Sequence, residues 1–340
     1  MTAAPGRARV QQVRERLAAA LAPAVLLRRF GPVFGLLLLS GTLAILSDHF
    51  LRFDNLMGVF RQSAVNALLA LGQLAVIITA GIDLSVGSIL GLCCVLVAML
   101  VKAGVPPVLA VAGALASGVL LGALNGVLFT KLRLPHPFIP TLGMMNFARG
   151  LALVLTGGFP VSELPAGFRF LGAGSIAWIP APVLLVVFCC LLFHVFLRYT
   201  TYGRDTYAIG GNRQAALLSG IPVDRRLIMV YALSGGMSAL GAIVLAGRMN
   251  SGFPLAGVGA ELDSIAAVII GGASFFGGMG TVAGTLVGAL IMGVLRNGLN
   301  LLNVSSYWQT VVIGVVIVVA VWVDVVRQRA TEKSRAARKL

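Results

Sequence analysis

The sequence predicts an all-α polytopic membrane protein with about ten transmembrane helices, and three observations predict it. First, 58% of the 340 residues are hydrophobic and only 11% are charged, with a mean hydropathy of +0.97. Water-soluble domains carry about 45–50% apolar and about 25% charged residues, so a water-soluble enzyme fits poorly. Second, apolar stretches long enough to cross a bilayer, about 20 residues each, recur from residue 30 to residue 326. Third, the formal charge of +15 is distributed unevenly between the segments that separate those stretches.

Taken in order, the spans are expected at 30–46, 64–80, 85–101, 105–124, 138–156, 178–197, 227–247, 281–302 and 307–326. A weaker, Gly-interrupted segment at 264–276 brings the count to ten. Ten spans leave no room for a globular domain, so a membrane domain at 30–326 is expected between basic cytoplasmic tails at 1–29 and 327–340. The stretch at 30–46 is not a signal sequence. Twenty-nine residues precede it, and no convincing small-residue cleavage site follows.

Orientation follows from Lys and Arg. With the N-terminus in the cytoplasm, ten crossings return the C-terminus to the same side. Nineteen Lys/Arg then lie inside and five outside, while Arg149 and Arg296 fall within spans. With acids counted, the inside sums to +13 and the outside to zero. The basic balance is a topology signal. A nucleic-acid surface would need a basic patch with stacking aromatics on a folded face, and none is visible, so no nucleic-acid partner is expected.

The two halves resemble each other. Residues 111–126 read VAGALASGVLLGALNG and residues 282–298 read VAGTLVGALIMGVLRNG. Each follows an acidic turn, GIDLSVGSILGL from Gly81 and AELDSIAAVIIGG from Ala260. Gly/Ala/Leu-rich spans resemble one another by composition alone, and the acidic turns raise the match above that. In the ten-span topology the turns lie on opposite sides. Two inverted five-helix repeats, about 30–156 and about 178–326, are therefore expected, an arrangement common in transporters.

The longest cytoplasmic loop, 198–226, is expected to carry a short helix from Arg213 to Ser219. Gly210-Gly211 breaks the chain before it, Asn212 caps it, Gly220 ends it and Pro222 blocks its continuation. Ala215, Ala216 and Leu217 either fill a groove on a partner or belong to an ordinary amphipathic surface helix. Asn66, Gln73, Asn146, Asn297 and Asn300 are amides inside spans. Each either bonds a neighbouring helix or lines a pathway for a hydroxylated solute. Asp83, before Ser85, and Asp263 lie at helix starts, as caps or as gating groups. Arg149 and Arg296 are intramembrane charges and so functional candidates by default, with carboxylates such as Asp83 or Glu261 as candidate partners. The cysteines, Cys93-Cys94 and Cys189-Cys190, lie in apolar spans and read as small hydrophobes; no metal site is expected.

These residues resemble a family. Gly81-Ile82-Asp83-Leu84-Ser85-Val86-Gly87-Ser88 is similar to the hallmark of the membrane subunits of ribose-, xylose- and arabinose-type ABC sugar importers. Leu134-Pro135-His136-Pro137-Phe138-Ile139-Pro140-Thr141-Leu142-Gly143 resembles that family's LPPFIATLG segment, with His136 and Pro140 as departures. Gln214-Ala215-Ala216-Leu217-Leu218-Ser219-Gly220 resembles its EAA-x-x-x-G ATPase-docking loop, with Gln214 in place of Glu. The resemblance implies a type II importer-like fold and a pathway shared by two permease subunits, this chain with itself or a homologue. It also implies a cytoplasmic ATP-binding protein docked on residues 212–220 and a periplasmic sugar-binding protein outside. ATP and Mg would sit on the partner ATPase, and this chain contains no G-x-x-x-x-G-K-[ST] phosphate loop. It would reside in the bacterial inner membrane. A branched-chain amino-acid permease and an ion-coupled secondary transporter are the competing readings. The second is disfavoured because no carboxylate falls in the middle of a span.

Overall fold

The computed structural model describes residues 23–337, with side chains described from 30 to 326. The expected basic tails, 1–29 and 327–340, have their side chains outside the described residues. The described chain is helical throughout its long elements. They are α1 (Pro23–Leu46), α2 (Phe53–Ile78), α3 (Val86–Lys102), α4 (Pro107–Lys131) and α5 (Phe138–Thr156). Then follow α6 (Ala166–Ala173), α7 (Ala181–Tyr199), α8 (Thr201–Gly211), α9 (Arg213–Leu218) and α10 (Val223–Met249). The last are α11 (Ala260–Ile270), α12 (Val282–Leu301) and α13 (Ser306–Ala337). Four two-residue strands pair antiparallel, β1 (Val161–Ser162) with β4 (Ser251–Gly252) and β2 (Ser175–Ile176) with β3 (Ile179–Pro180).

Seven helices are long and apolar enough to cross a membrane: α2, α4, α5, α7, α10, α12 and the Ser306–Val326 part of α13. Phe30–Leu46 of α1 and Val86–Lys102, which is α3, are shorter apolar helices. Proline sets several starts, at Pro107 in α4, Pro182 in α7 and just before α5 and α10, where a missing N–H costs nothing. Left-handed residues set several ends, Gly157 after α5 and Asn250 after α10.

One expected span is cut short. The 264–276 segment is helical only as far as Ile270, and α11 has 11 residues. At about 1.5 Å per residue that is about half of a bilayer's hydrocarbon thickness. The rest of the segment is a Gly-rich loop, 271–280, which folds back to α12.

The core is built on α2 and α10, whose side chains are buried along most of their length. Each receives the following helices of the opposite half: α3 and α4 pack on α10, and α11 and α12 pack on α2. The α4/α10 contact is a backbone seam. A Cβ at Gly122 would lie 2.2 Å from the Tyr231 carbonyl oxygen, and one at Gly235 would lie 2.1 Å from that of Gly118. Small residues thus bring two backbones together, as in membrane helix pairs that lack a hydrophobic driving force. The outer faces of α4, α7 and α13 carry exposed Leu120, Leu191, Val318 and Trp322. A bilayer accepts such a surface, whereas water penalises apolar patches of this size.

The seam makes a direct prediction. Gly122→Val and Gly235→Val should abolish the monodisperse detergent-extracted protein, since neither backbone can yield. Gly143→Ala on α5, where a Cβ meets nothing within 4 Å, should leave yield and Tm unchanged. Normal yield and Tm for both Val variants would refute close packing at this crossing.

Candidate functional site

A break between two helices that is buried within the protein leaves backbone N–H and C=O groups that the protein itself must satisfy. Between α2 and α3, residues 79–85 form such a break, and they contain the Gly81–Ser85 motif. Side chains from four helices satisfy it. From α2, the Gln73 amide donates to the Asp83 carbonyl. From α10, the Tyr231 hydroxyl donates to the Ile82 carbonyl at 3.5 Å, and from α5 the Thr141 hydroxyl approaches the same oxygen at 3.4 Å. The Asp83 carboxylate accepts from the Ser85 N–H at 2.9 Å, the Ser85 hydroxyl at 2.6 Å and the Ser234 hydroxyl of α10 at 2.8 Å. Asn125 of α4 donates to the Ser85 hydroxyl at 2.9 Å. Gln73, Asp83, Ser85, Asn125 and Ser234 are all 0% exposed. Asp83 is therefore the acceptor at the start of α3, as its position suggested, and also the point where α10 is fastened to that start.

Arg149 hydrogen-bonds backbone carbonyls rather than a carboxylate, although the charge of Glu261, one of its candidate partners, acts on it. Its guanidinium donates to the carbonyls of Pro254 at 2.6 Å, Ala256 at 2.8 Å and Gly87 at 3.3 Å. It clamps the 253–257 loop, which follows α10, between α5 and α3. The loop lies so close that a Cβ at Gly87 would sit 2.2 Å from the Gly257 carbonyl oxygen. Arg296 does meet a carboxylate, donating to Asp263 Oδ2 at 2.5 Å. Asp263 lies in the first turn of α11, not before it.

The 198–226 loop contains two helices, where one was expected. Gly210 and Gly211 do not break the chain; they end α8, and the break comes at Asn212. Gly210 is there for contact: a Cβ would lie 1.7 Å from the Ile78 carbonyl oxygen at the end of α2. That oxygen accepts from the Gly278 N–H at 2.8 Å, and the Tyr207 hydroxyl donates to the Gly280 carbonyl at 2.7 Å. Burial raises the Tyr207 pKa above its ordinary value. Asp324 of α13 holds the same loop through the Phe275 N–H at 3.0 Å. Arg226 of α10 binds Asp205 of α8 at 2.7 Å and stacks 3.9 Å from the Tyr202 ring centre. So α8 is bolted to α2, α10 and the 271–280 loop, close to the motif turn.

The cap of α9 is as expected. Asn212 Oδ1 accepts from the Ala215 N–H at 2.9 Å, and Gly220 ends the helix at φ +80°. Of the three residues expected to face a partner, Ala215 and Leu217 are exposed and Ala216 is not. Ala216 is buried within the chain, while Leu217 and Leu218 are 59% and 82% exposed. Arg213, Gln214, Ala215 and Ser219 are exposed beside them, with Ser219 bonded to its own helix at the Ala215 carbonyl.

The remaining amides separate by their partners. Asn297 of α12 forms a reciprocal pair with Asn55 of α2, at 2.8 and 3.0 Å. Asn300 accepts from Gln309 of α13 at 2.8 Å. Asn146 is exposed and bonds only the Leu142 carbonyl of its own helix. Asn66 faces a cavity of about 280 Å³ between α2, α10, α11 and α12, together with Asp263 and Arg296. Sequence reading passed over Asn125, Tyr207, Ser234 and Leu218. A hydroxyl in an apolar span carries little local signal, because it can bond its own helix's carbonyl, as Ser238 does with that of Ser234.

The family described as "Branched-chain amino acid transport system / permease component" matches residues 55–321. The chain is 47% identical over 300 residues to the ribose import permease protein RbsC of Bacillus subtilis (strain 168), covering 88% of this chain and 93% of that protein. It is 45% identical over 296 residues to the RbsC of Escherichia coli (strain K12), covering 86% and 92%. It is 40% identical over 299 residues to the D-allose transport system permease protein AlsC of the same strain, covering 87% and 91%. No solved structure matches the chain. The chain therefore belongs to the branched-chain amino acid transport system / permease component family, as an ABC importer permease of the ribose/arabinose type.

Proposed function

We propose that the chain is the membrane subunit of an ATP-driven importer, carrying a monosaccharide or related polyol across the bacterial inner membrane into the cytoplasm. The observation that carries this reading is the bolted path from the exposed Leu217-Leu218 surface of α9, through α8, to the buried motif turn at Ile78–Ser85. A docking surface rigidly joined to the centre of the helix bundle is what a transmission element requires. Relatives named for ribose, allose and arabinose favour a sugar over a branched-chain amino acid. Against ion coupling, the Asp83 carboxylate already accepts three hydrogen bonds.

In this reading the chain makes ten crossings with both termini cytoplasmic, one of them by the short helix α11 together with the 271–280 loop. Helices α1–α5 form one repeat; α7 and α10–α13 form the inverted other. The exchange of α3–α4 and α11–α12 between the two central helices supports the repeat. Two permease subunits enclose the pathway, and a sugar-binding protein delivers solute from outside. A partner ATPase, which holds the ATP and Mg, docks on α9. Its closure moves α9 and α8 as one body, and the motif turn and the 271–280 loop move with them. Gln73, Asp83, Ser85, Asn297 and Asn300 act as bolts between helices. Arg149 holds the 253–257 loop. Asn66 and Asp263 are assigned to the pathway because they face open space.

Reconstituted in proteoliposomes with its ATPase and binding protein, the chain should import labelled sugar only with ATP inside and independently of ionophores. Uptake driven by an ion gradient without the ATPase would overturn the assignment. Leu217→Asp with Leu218→Asp should lower uptake at least 10-fold while insertion and Tm are kept. Wild-type uptake would remove α9 as the docking element. Arg149→Ala should lower both Tm and uptake, because the cluster of carbonyls it leaves loses charge-assisted bonds worth about 1.5–3 kcal/mol each. Unchanged Tm and uptake would show that the clamp is dispensable.

A further inference from the structure

The cavity between α2, α10, α11 and α12 has a volume of about 280 Å³. That is close to the lower end of the about 300–1,000 Å³ of small-molecule sites. Its wall is mixed. Leu69, Leu90 and Met292 make one side apolar, and Ser63, Asn66 and Arg248 contribute polar groups. Among the described residues, the Ser63 hydroxyl, Asn66 Oδ1 and Arg248 Nη1 are buried with no hydrogen-bond partner. Ser63 is 3% exposed. Its hydroxyl sits against α12, where a Cβ at Gly293 would collide with it. Ser63 and Asn66 are three residues apart on α2 and so share one side of that helix. Rotation about one or two side-chain bonds presents their polar atoms to the cavity.

Buried polar groups are ordinarily paired, and an unpaired one is costly. The three groups here differ in sense. Asn66 Oδ1 only accepts, Arg248 Nη1 only donates, and the Ser63 hydroxyl does both. A ligand that satisfies them must donate and accept over a short distance, which neighbouring hydroxyls do and an anion does not. An amino acid fits poorly, because its ammonium group needs a carboxylate. Asp263, the one acid among the described lining residues, is already held by Arg296 at 2.5 Å. A compact carbon frame carrying several hydroxyls matches both sides of the wall. We infer that this cavity binds one neutral monosaccharide or acyclic polyol in each permease chain, with Asn66 and Ser63 bonding its hydroxyls. The inference deepens the pathway reading and rests on it for the substrate class. It adds that solute is held inside one chain, since all the lining residues belong to this chain, and not only on an axis shared by two.

The test is equilibrium dialysis of the purified full-length permease, in neutral detergent and without its ATPase or binding protein. The probes are radiolabelled D-ribose, D-glucose and D-mannitol, with L-leucine for comparison. Wild type should bind at least one of the three polyols saturably, at one molecule per chain, and should not bind L-leucine. Asn66→Leu and Ser63→Ala should each weaken that binding, the former by about 10-fold. Thr42→Val, at an exposed position on α1, should not. Saturable binding of none of the polyols, binding of L-leucine alone, one sugar per two chains, or wild-type binding by both cavity variants would overturn the inference. If Asn66→Leu does not insert, Ser63→Ala and the wild-type stoichiometry decide. The two readings fail separately. ATPase-dependent uptake with no sugar held by the permease alone sinks this inference and leaves the importer standing. Saturable binding together with uptake driven by an ion gradient does the reverse.

Discussion

Everything in this structure depends on one requirement: a break between two helices that is buried within the protein must have its polar groups satisfied by the protein itself. The break at 79–85 meets it with Gln73, Asn125, Thr141, Tyr231 and Ser234, drawn from α2, α4, α5 and α10 and bonding its backbone carbonyls and the Asp83 and Ser85 side chains. Because the partners come from so many elements, the break also fixes their relative positions. The Gly118, Gly122 and Gly235 seam follows from this, since Ser234 reaches Asp83 only if α10 runs close to the start of α3.

The same logic extends outward. The Ile78 carbonyl, at the C-terminal end of α2, is satisfied by Gly278 and pressed by Gly210. The helix pair α8–α9 is thereby anchored to the break, with Tyr207, Arg226 and Asp324 adding polar ties. On the other side of α3, Arg149 draws three carbonyls together and holds the loop after α10. In the proposed reading, a motion applied at α9 passes through α8 to the centre of the bundle.

Much of this was legible in the sequence. Nine of the ten apolar segments fall largely within long helices, because length and hydropathy act locally, whereas 264–276 is helical only as far as Ile270. The Asn212 cap and the Gly220 stop were legible for the same reason, as was Asp83 at the start of α3. What was not legible depended on distant partners. Gly210-Gly211 read as a flexible break, since nothing local reveals that the Ile78 carbonyl presses on Gly210. Arg149 read with Asp83 or Glu261 as candidate partners; the Glu261 charge does act on it, but the carbonyl cluster 105 residues away in sequence has no signature in residue type. Ala216 is buried although it read as groove-filling with Ala215 and Leu217, because a six-residue helix has too little periodicity to define its buried side. The site assignment was thus half readable: motif positions were visible, but the network joining them was not.

The central claim is that α9, α8 and the 271–280 loop move as one body with the motif turn. The most direct measurement is the spin-label distance between Gln214→Cys on α9 and Phe276→Cys in the loop. It is made in the assembled importer with and without ATP, with a second pair from Gln214→Cys to Trp178→Cys as reference. The account predicts that the Gln214–Phe276 distance stays constant while the reference distance changes with ATP. A Gln214–Phe276 distance that changes on ATP binding would contradict it.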